Sequence, residues 1–258
     1  MKKTVGFIGG GRITRILIAG FVRAGRMPSK TVVSDVSEDA LLKIGSETRE
    51  VVFTTSDSQK PASCDLVFLS LHTPILKTVL PEIRSWLRPE AIVISLAPKL
   101  TISQIGQILG GFDRIVRMIP NAPSIINEGF NPVAFSQTIT SSEREELLDW
   151  MRALGQCPET PEADLEAYAI LTAMGPTYLW FQLYELQNIV SSFGLDAKSV
   201  AEGLESMTLG AVRTIYKSGL TPEQVMDLIP TKPLEDYETI IRQAYRSSLA
   251  PLYKKLKG

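Results

Sequence analysis

A glycine-rich turn near the start of the chain is the first stretch whose residue types and spacing could do chemistry. Gly9 and Gly11 lie in "GFIGGGRIT", which joins a short apolar run to an amphipathic stretch. A glycine at 9 permits a tight turn and one at 11 lets a phosphate approach the backbone, although Thr14 replaces the third small residue of this fingerprint. Since a helix amino terminus attracts phosphate, the turn predicts a dinucleotide cradle. The alternative is a glycine turn without a ligand.

An aspartate follows the second apolar run. Asp35 stands 26 residues after Gly9, where a carboxylate can accept hydrogen bonds from the ribose hydroxyls of a dinucleotide. The next residues, "VSEDA", contain no lysine or arginine, so NADH is slightly favoured over NADPH. Two alternatives remain: Asp35 is a solvated turn residue, or Arg12 binds a 2′-phosphate.

The single histidine of the chain, His72, comes after a predicted strand. Ligands of open α/β sheets bind at the carboxyl ends of strands, so His72 could contact the nicotinamide ribose or donate a proton. It could equally be a turn residue beside Thr73 and Pro74. With one histidine and no close cysteine pair, we expect no metal site.

The elements that must position these residues alternate between strands and helices. A helical stripe runs from Ile13 to Ala24, and helices are predicted after Ser37, Thr73 and Thr101. This alternation is typical of an α/β fold with a doubly wound, mostly parallel sheet, the Rossmann type. The clearest predicted strands are 4–8, 31–35, 65–71, 91–96 and 114–119.

The strand-rich half ends near "GQCPETPEAD", at 155–164, and the rest is predicted to be helical. We therefore expect a dinucleotide-binding domain over 1–158 and a helical domain over 159–258. Pro176 can open a long helix that is apolar on several sides, which predicts burial nearly all round. A second subunit would complete that packing, so a homodimer is expected.

The composition excludes several classes of protein. Hydrophobic residues make up 44% of the 258 residues, charged residues 21%, and the net charge is -1. Such a chain is expected to be globular, without a nucleic-acid partner and without a membrane partner. Cys64 and Cys157 form no CxxC pair, which fits free thiols in the cytoplasm.

Several motifs in order make the chain similar to the pyrroline-5-carboxylate reductases. They are "GFIGGG", "DLVFLSLHTP", "VRMIPNAPSIINEG", "LTAMGPTYLWFQLYE" and "MTLGA". The resemblance implies a Rossmann domain followed by a helical dimerisation domain that contributes to the substrate site. It also implies hydride transfer from NAD(P)H to the C=N bond of a small cyclic imino acid, as in proline biosynthesis.

The residues then expected at the site divide between cofactor and substrate. Asn121 of "MIPNAP" becomes a candidate for a nicotinamide or substrate contact, and alternatively caps an Asx-type turn before Pro123. His72 and Asn121 are the catalytic candidates. The predicted cofactor contacts are Gly9, Gly10, Gly11, Arg12, Ile13, Ser34, Asp35, Leu71, His72 and Asn121.

The substrate half departs most from the resemblance. The family's glycine-rich loop, whose amides and threonine hold the substrate carboxylate, corresponds here to "IPTKPLEDYE" at 229–238. Thr231 and Lys232 are the substrate candidates, with Lys232 as a point charge for a carboxylate or as a solvated loop lysine. Other departures are Arg12 for Asn or Lys, His72-Thr73 for Lys-Pro, and Pro98-Lys99 for Ala-Gly.

Three competing functions follow from these departures. A β-hydroxyacid dehydrogenase would need a lysine on the long helix, and none occurs between Lys99 and Lys198. A reductase that passes hydride between a deazaflavin and NADP would usually lack the helical half. The remaining alternative is a catalytically altered or inactive nucleotide-binding homologue that acts as a sensor or assembly module.

Overall fold

The structure is a computed structural model that describes residues 3–48 and 52–257. The chain forms two compact units. The first ends at Met174, the second spans Gly175–Leu252, and the last residues, from Tyr253, belong to the first unit. The first unit thus continues beyond residue 158, because the helical segments between 162 and 174 pack with the sheet-containing part.

A seven-stranded sheet in the order β3-β2-β1-β4-β5-β6-β8 is the centre of the first unit. Neighbouring strands are parallel except β6 and β8, which are antiparallel. The strand order reverses between β1 and β4, where a doubly wound sheet opens a crevice. The Rossmann-type fold expected from the sequence is therefore confirmed. The strands of this sheet are β1 Val5–Ile8, β2 Thr31–Ser34, β3 Val52–Thr55, β4 Leu66–Leu69, β5 Ile92–Ser95, β6 Ile115–Met118 and β8 Val133–Phe135, and a second pair is β7 Gly129–Phe130 with β9 Gly155–Gln156.

Several helices begin where the sequence places a capping residue. The Ser37 hydroxyl accepts from the Ala40 amide, and Thr101 and Thr221 form capping boxes. Thr73 is not a cap: His72 precedes the helix, which Thr73 begins. The helices are α1 Arg12–Arg23, α2 Glu38–Thr48, α3 Gln59–Ala62, α4 Thr73–Ile83, α5 Ile102–Ile108, α6 Ser141–Met151, α7 Leu165–Tyr168, α8 Gly175–Ser191, α9 Ala197–Lys217, α10 Pro222–Asp227 and α11 Glu235–Lys257.

Two hydrophobic clusters make up the core of the first unit. One contains Phe21 of α1 and Trp150 of α6, whose rings stack with centroids 4.2 Å apart. The other contains Leu76 and Leu80 of α4 with Val93 of β5. Stacked and tightly buried aromatic and aliphatic side chains fix the strands, so the loops that follow the strands start from rigid positions.

The second unit consists of α8, α9, α10 and most of α11. Within it, α8 carries no buried residue, and Phe181 and Tyr184 are exposed. The prediction that α8 is buried nearly all round is thus wrong for the single chain. The helix is apolar on several sides, and one chain has too few helices to cover them all. No helix among the described residues combines the length and apolarity needed to cross a membrane.

Candidate functional site

A cleft of about 890 Å³ lies in the first unit at the carboxyl ends of β1, β4, β5 and β6. The loops that follow these strands form its walls, together with the segment that precedes α8. This is the position where ligands bind in doubly wound sheets. The lining residues are Gly11, Arg12, Ile13, Ser70, Leu71, His72, Thr73, Pro74, Leu96, Ala97, Pro98, Lys99, Ile119, Ala169, Ala173 and Met174.

The glycine turn forms one end of this cleft. Gly9 has a φ of +104°, and a Cβ added there would lie 2.6 Å from the Ser70 carbonyl oxygen, so only glycine fits. A Cβ at Gly11 would meet nothing within 4 Å. The backbone at Gly11 therefore faces open space at the start of α1, as a phosphate-binding turn requires.

Thr14 is buried in α1 and bonded to the turn. Its hydroxyl donates to the Gly9 carbonyl oxygen over 2.6 Å. From the sequence, Thr14 predicts either a displaced helix or a hydroxyl bonded to a helical carbonyl; the acceptor is instead a carbonyl of the turn itself. The threonine thus satisfies a backbone acceptor where the fingerprint has a small residue.

Asp35 lies directly beside the glycine turn rather than on the cleft wall. One carboxylate oxygen accepts from the Gly10 amide at 2.7 Å, and the other accepts from the Ser37 amide at 2.8 Å. Ser34, at the end of β2, is buried with its hydroxyl oxygen 3.2 Å from that of Ser58. Asp35 is therefore held against the glycine turn just after β2, and Ser34 is the last residue of that strand.

Four of the predicted cofactor residues come together with Gly11 on the cleft wall: Arg12, Ile13, Leu71 and His72. His72 is exposed, and no side-chain bond from it caps α4. Its neighbour Thr73 donates its hydroxyl to the Pro98 carbonyl over 2.8 Å. That bond ties the loop after β4 to the loop after β5 and sets the width of the cleft there.

Asn121 is buried behind the cleft and does not line it. Its amide nitrogen donates to the Thr172 carbonyl at 3.2 Å, and its amide oxygen accepts from the Phe130 backbone at 3.1 Å. No side-chain bond from Asn121 caps the following 3₁₀ turn, so the Asx-turn alternative is not realised. Asn121 holds the segment that forms the far wall.

This far wall departs from ordinary helix geometry. Residues Ala169–Ala173 form a π-helical turn, and the Met174 amide donates to the Ala169 carbonyl at 3.1 Å. Such turns widen a helix by one residue and often occur at functional sites. The apolar side chains of Ala169, Ala173 and Met174 face the cleft as a result.

A buried ion cluster, which the sequence interpretation missed, supports both walls. Arg117 of β6 is 1% exposed and donates to Glu166 at 2.6 Å and to Glu162 at 3.1 Å. Glu162 also accepts from the Ile102 amide, and Glu166 from the Lys99 amide. The one sequence signal for this cluster is an arginine inside the apolar run "RIVRMI", since a buried arginine requires a carboxylate partner.

Thr231 and Lys232 lie in the second unit, between α10 and α11, and both are exposed. Within residues 3–48 and 52–257, no group of three or more His, Cys, Asp or Glu side chains could hold a metal ion. The expectation that the whole chain has no metal site stays a prediction.

Comparison with known proteins places the chain among reductases. Residues 4–99 match the family model of "NADP oxidoreductase coenzyme F420-dependent". Pyrroline-5-carboxylate reductase 3 of Macaca fascicularis is 27% identical over 86% of this chain and 81% of its own.

Two solved structures are similar to this chain over its whole length. A pyrroline-5-carboxylate reductase from Coxiella burnetii is 27% identical, with a TM-score of 0.70, over 100% of this chain and 95% of its own. The Plasmodium falciparum pyrroline carboxylate reductase, solved with NADP bound, gives a TM-score of 0.84 at 20% identity over 100% and 98%.

The parallel sheet, the glycine turn and the cleft at the strand ends define an NAD(P)-dependent oxidoreductase with a Rossmann-type domain. Within that class, the chain is similar to pyrroline-5-carboxylate reductases over most of its length.

Proposed function

We propose that this protein reduces the C=N bond of a small cyclic imino acid, such as pyrroline-5-carboxylate, with NAD(P)H. The observation that carries the proposal is the cleft of about 890 Å³ that begins at the open Gly11 backbone and continues past β4 and β5 to an apolar wall. One end suits a phosphate and the other suits a small ring, as a dinucleotide-dependent reductase requires.

The residues present fit a dinucleotide. Gly11 offers backbone to the phosphates, and Arg12 adds a charge at the cleft edge. Gly9 and Gly10 shape the turn, because their amides donate to the Ser34 carbonyl and to Asp35. Asp35 is held where it can accept from ribose hydroxyls. The cofactor contacts proposed for Ile13, Leu71 and His72 lie on the cleft wall. Ser34 and Asn121 are proposed to act from behind that wall, where both are buried. When bound, the reduced nicotinamide supplies the hydride for the reaction.

The remaining chemistry asks for positioning and for exclusion of water. A protonated imine is already electrophilic, so holding the ring in line with the hydride donor provides much of the rate. Leu96, Ile119 and Met174 give the cleft an apolar lining, which favours a ring over water. His72, on the cleft wall, is proposed as the residue nearest to the chemistry, and Asn121 as a positioning residue that fixes the Thr172 carbonyl from behind the wall.

On the substrate side, we include Thr231 and Lys232 of the second unit. Lys232 is exposed in a loop without the glycine pair of relatives, and its ammonium offers a carboxylate a point charge. The kcat/KM of Lys232→Ala with pyrroline-5-carboxylate tests this assignment. An unchanged value removes Lys232 from the site.

The decisive experiment measures both binding and turnover of the cofactor. We expect the protein to oxidise NADH in the presence of pyrroline-5-carboxylate, and Gly11→Ala to weaken NADH binding because its methyl group occupies the space left for the phosphate. The apo fold should tolerate this methyl, since nothing lies within 4 Å of it. Gly45→Ala, at a glycine of α2 with equally open surroundings, is the matched control.

Turnover separates this proposal from its alternative. A protein that binds NADH, yet oxidises it with none of a panel of cyclic imines, would be a nucleotide-binding homologue that acts as a sensor or assembly module. The specific observation in favour of that alternative is the altered loop at 229–238.

We also propose roles for the two domains, a homodimer and a cytoplasmic location. Residues 1–158 are proposed as the dinucleotide-binding domain and 159–258 as the dimerisation and substrate domain of a homodimer; the exposed apolar side chains of α8 support the dimer. A cytoplasmic location is supported by two buried free cysteines. Burial raises the pKa of the Cys157 thiol to about 12 and also raises that of Cys64, so both stay protonated.

A further inference from the structure

Lys99 adopts a backbone conformation that lysine seldom takes. Its φ is +77°, in the left-handed region that glycine favours. Such conformations are retained where the surrounding structure enforces them, and they cluster at functional sites. Lys99 lines the cleft in the loop that follows β5, so the unusual residue is also a residue of the site.

The conformation of Lys99 is enforced from both sides. Its amide donates to a carboxylate oxygen of Glu166 at 3.2 Å, and the same oxygen accepts from buried Arg117 at 2.6 Å. The carbonyl of the preceding Pro98 accepts from the Thr73 hydroxyl at 2.8 Å. The loop that carries Lys99 is therefore anchored to buried groups, while its side chain is exposed.

The charges on the cleft wall are all of one kind. Arg12 and Lys99 are its Arg and Lys residues, and neither Asp nor Glu is among the side chains that line it. Arg12 follows the glycine turn after β1, where the dinucleotide phosphates are proposed to bind. Lys99 follows β5, two strands away in the order β1-β4-β5, which is about 10 Å across the sheet.

This separation distinguishes the ligands of the two cations. Asp35, after β2, lies on the other side of β1 from Lys99. Since the two halves of a dinucleotide lie on opposite sides of the switch point, Lys99 belongs to the half that holds the reacting ring. An ammonium group there faces the substrate rather than the phosphates.

We infer that Lys99 binds the carboxylate of the substrate and thereby selects cyclic imines that carry a carboxylate over neutral ones. The inference rests on the proposed reductase function and refines it by naming a residue that determines the substrate class. Lys99 would bind the carboxylate from the first unit. This contact does not depend on the altered loop at 229–238.

The test compares kcat/KM for pyrroline-5-carboxylate with kcat/KM for 1-pyrroline, the same ring without the carboxylate. In Lys99→Met and Lys99→Gly, this ratio should fall about ten- to hundredfold, the worth of a hydrogen bond to a charged group. Lys99→Arg should retain most of it. The loss should fall on pyrroline-5-carboxylate rather than on 1-pyrroline, and the Kd for NADH should not weaken. Lys77→Met, at an exposed lysine of α4 outside the cleft lining, is the matched control.

Lys99→Gly also guards against a purely structural explanation. Glycine suits the +77° conformation and keeps the amide bond to Glu166, so its urea unfolding midpoint should equal or exceed that of the wild type. If Lys99→Gly loses selectivity but keeps its stability, the missing ammonium group is the cause.

Two results would overturn the inference. An unchanged ratio in both Lys99→Met and Lys99→Gly would show that the carboxylate is bound elsewhere, and a weakened Kd for NADH with equal losses on both imines would assign Lys99 to the cofactor. Should no imine be reduced at all, the proposed function fails. Calorimetric titration of the NAD⁺-loaded protein with pyrrolidine-2-carboxylate still tests Lys99, because Lys99→Met must weaken that binding for the inference to stand.

Discussion

The hydroxyl of Thr14 donates a 2.6 Å hydrogen bond to the carbonyl oxygen of Gly9. Both residues are buried, and Gly9 occupies a left-handed conformation that only glycine can adopt against Ser70. The bond fastens α1 to the glycine turn that is proposed to bind a dinucleotide phosphate. A residue that departs from the dinucleotide fingerprint therefore stabilises the feature that the fingerprint describes.

Replacing Thr14 tests this bond. We expect Thr14→Ala to lower the free energy of unfolding by about 1 kcal/mol, because a buried acceptor loses its donor. Thr14→Val fills the same volume without the hydroxyl and should cost as much or more, whereas Thr14→Ser keeps the donor and most of the stability. Urea unfolding measures these differences. Equal stability of Thr14→Val and Thr14→Ser would contradict the role of the bond.

Cofactor choice should depend on Asp35. We expect the wild type to prefer NADH, because the carboxylate accepts from ribose hydroxyls and repels a 2′-phosphate. Asp35→Asn keeps an acceptor for the Gly10 amide and should reduce the ratio of kcat/KM for NADH to that for NADPH at least about tenfold. Asp113→Asn, at an exposed aspartate before β6, is the control.

Preference for NADPH in the wild type would contradict this prediction. The charge of Arg12 would then be the source of the preference, and Arg12→Ala should abolish it.

The sequence is informative where one residue type has one physical use. Gly9 and Gly11 predict the cradle, and the apolar run at 114–119 predicts β6, because local rules decide both. By contrast, the pairing of Arg117 with Glu162 and Glu166 joins residues 45 and 49 positions apart. No local rule links them, so the support of the cleft emerged only from the fold.

Two further features show the same limit. Asn121 belongs to a motif that suggests contact with a ligand, yet its amide is used by Thr172 and Phe130 behind the cleft. The left-handed conformation of Lys99 is likewise invisible in sequence, because a lysine gives no sign of a backbone that tertiary contacts enforce.

The buried pair of Arg117 and Glu166 should contribute far more to stability than an exposed pair of similar length. Arg117→Met leaves two carboxylates without their cation, and we expect it to lower the free energy of unfolding by about 3–5 kcal/mol. The double variant Arg117→Met with Glu166→Met should regain part of this loss, since an apolar pair needs no partner.

The exposed ion pair between Arg26 and Asp149 is 2.7 Å long, against 2.6 Å for Arg117 and Glu166, and provides the matched control. Arg26→Met should cost under about 1 kcal/mol, because solvent screens the pair. Urea unfolding of all three variants decides the matter. Similar losses for Arg117→Met and Arg26→Met would show that burial does not set the strength of the cluster.

The exposed apolar surface of α8 leads to a prediction about assembly. Phe181 is 67% exposed and lies in a groove of about 490 Å³ that α8 and α11 form within the second unit, together with Ile241 and Leu249. Large exposed apolar patches of this kind mark interaction surfaces. In the proposed homodimer, Phe181→Glu places a charge on the surface that the partner covers. Sedimentation equilibrium of this variant should therefore give the mass of a monomer.

The control for this variant is Val36→Glu. Val36 is 97% exposed in the first unit, so the same change of charge should leave the dimer intact. A wild type of monomer mass would contradict the proposed dimer outright, and a Phe181→Glu variant that stays dimeric would place the interface on another face of the second unit. The substrate candidates Thr231 and Lys232 belong to that unit. If the assembled helical unit contributes to the site, kcat/KM should fall when Phe181→Glu dissociates the dimer.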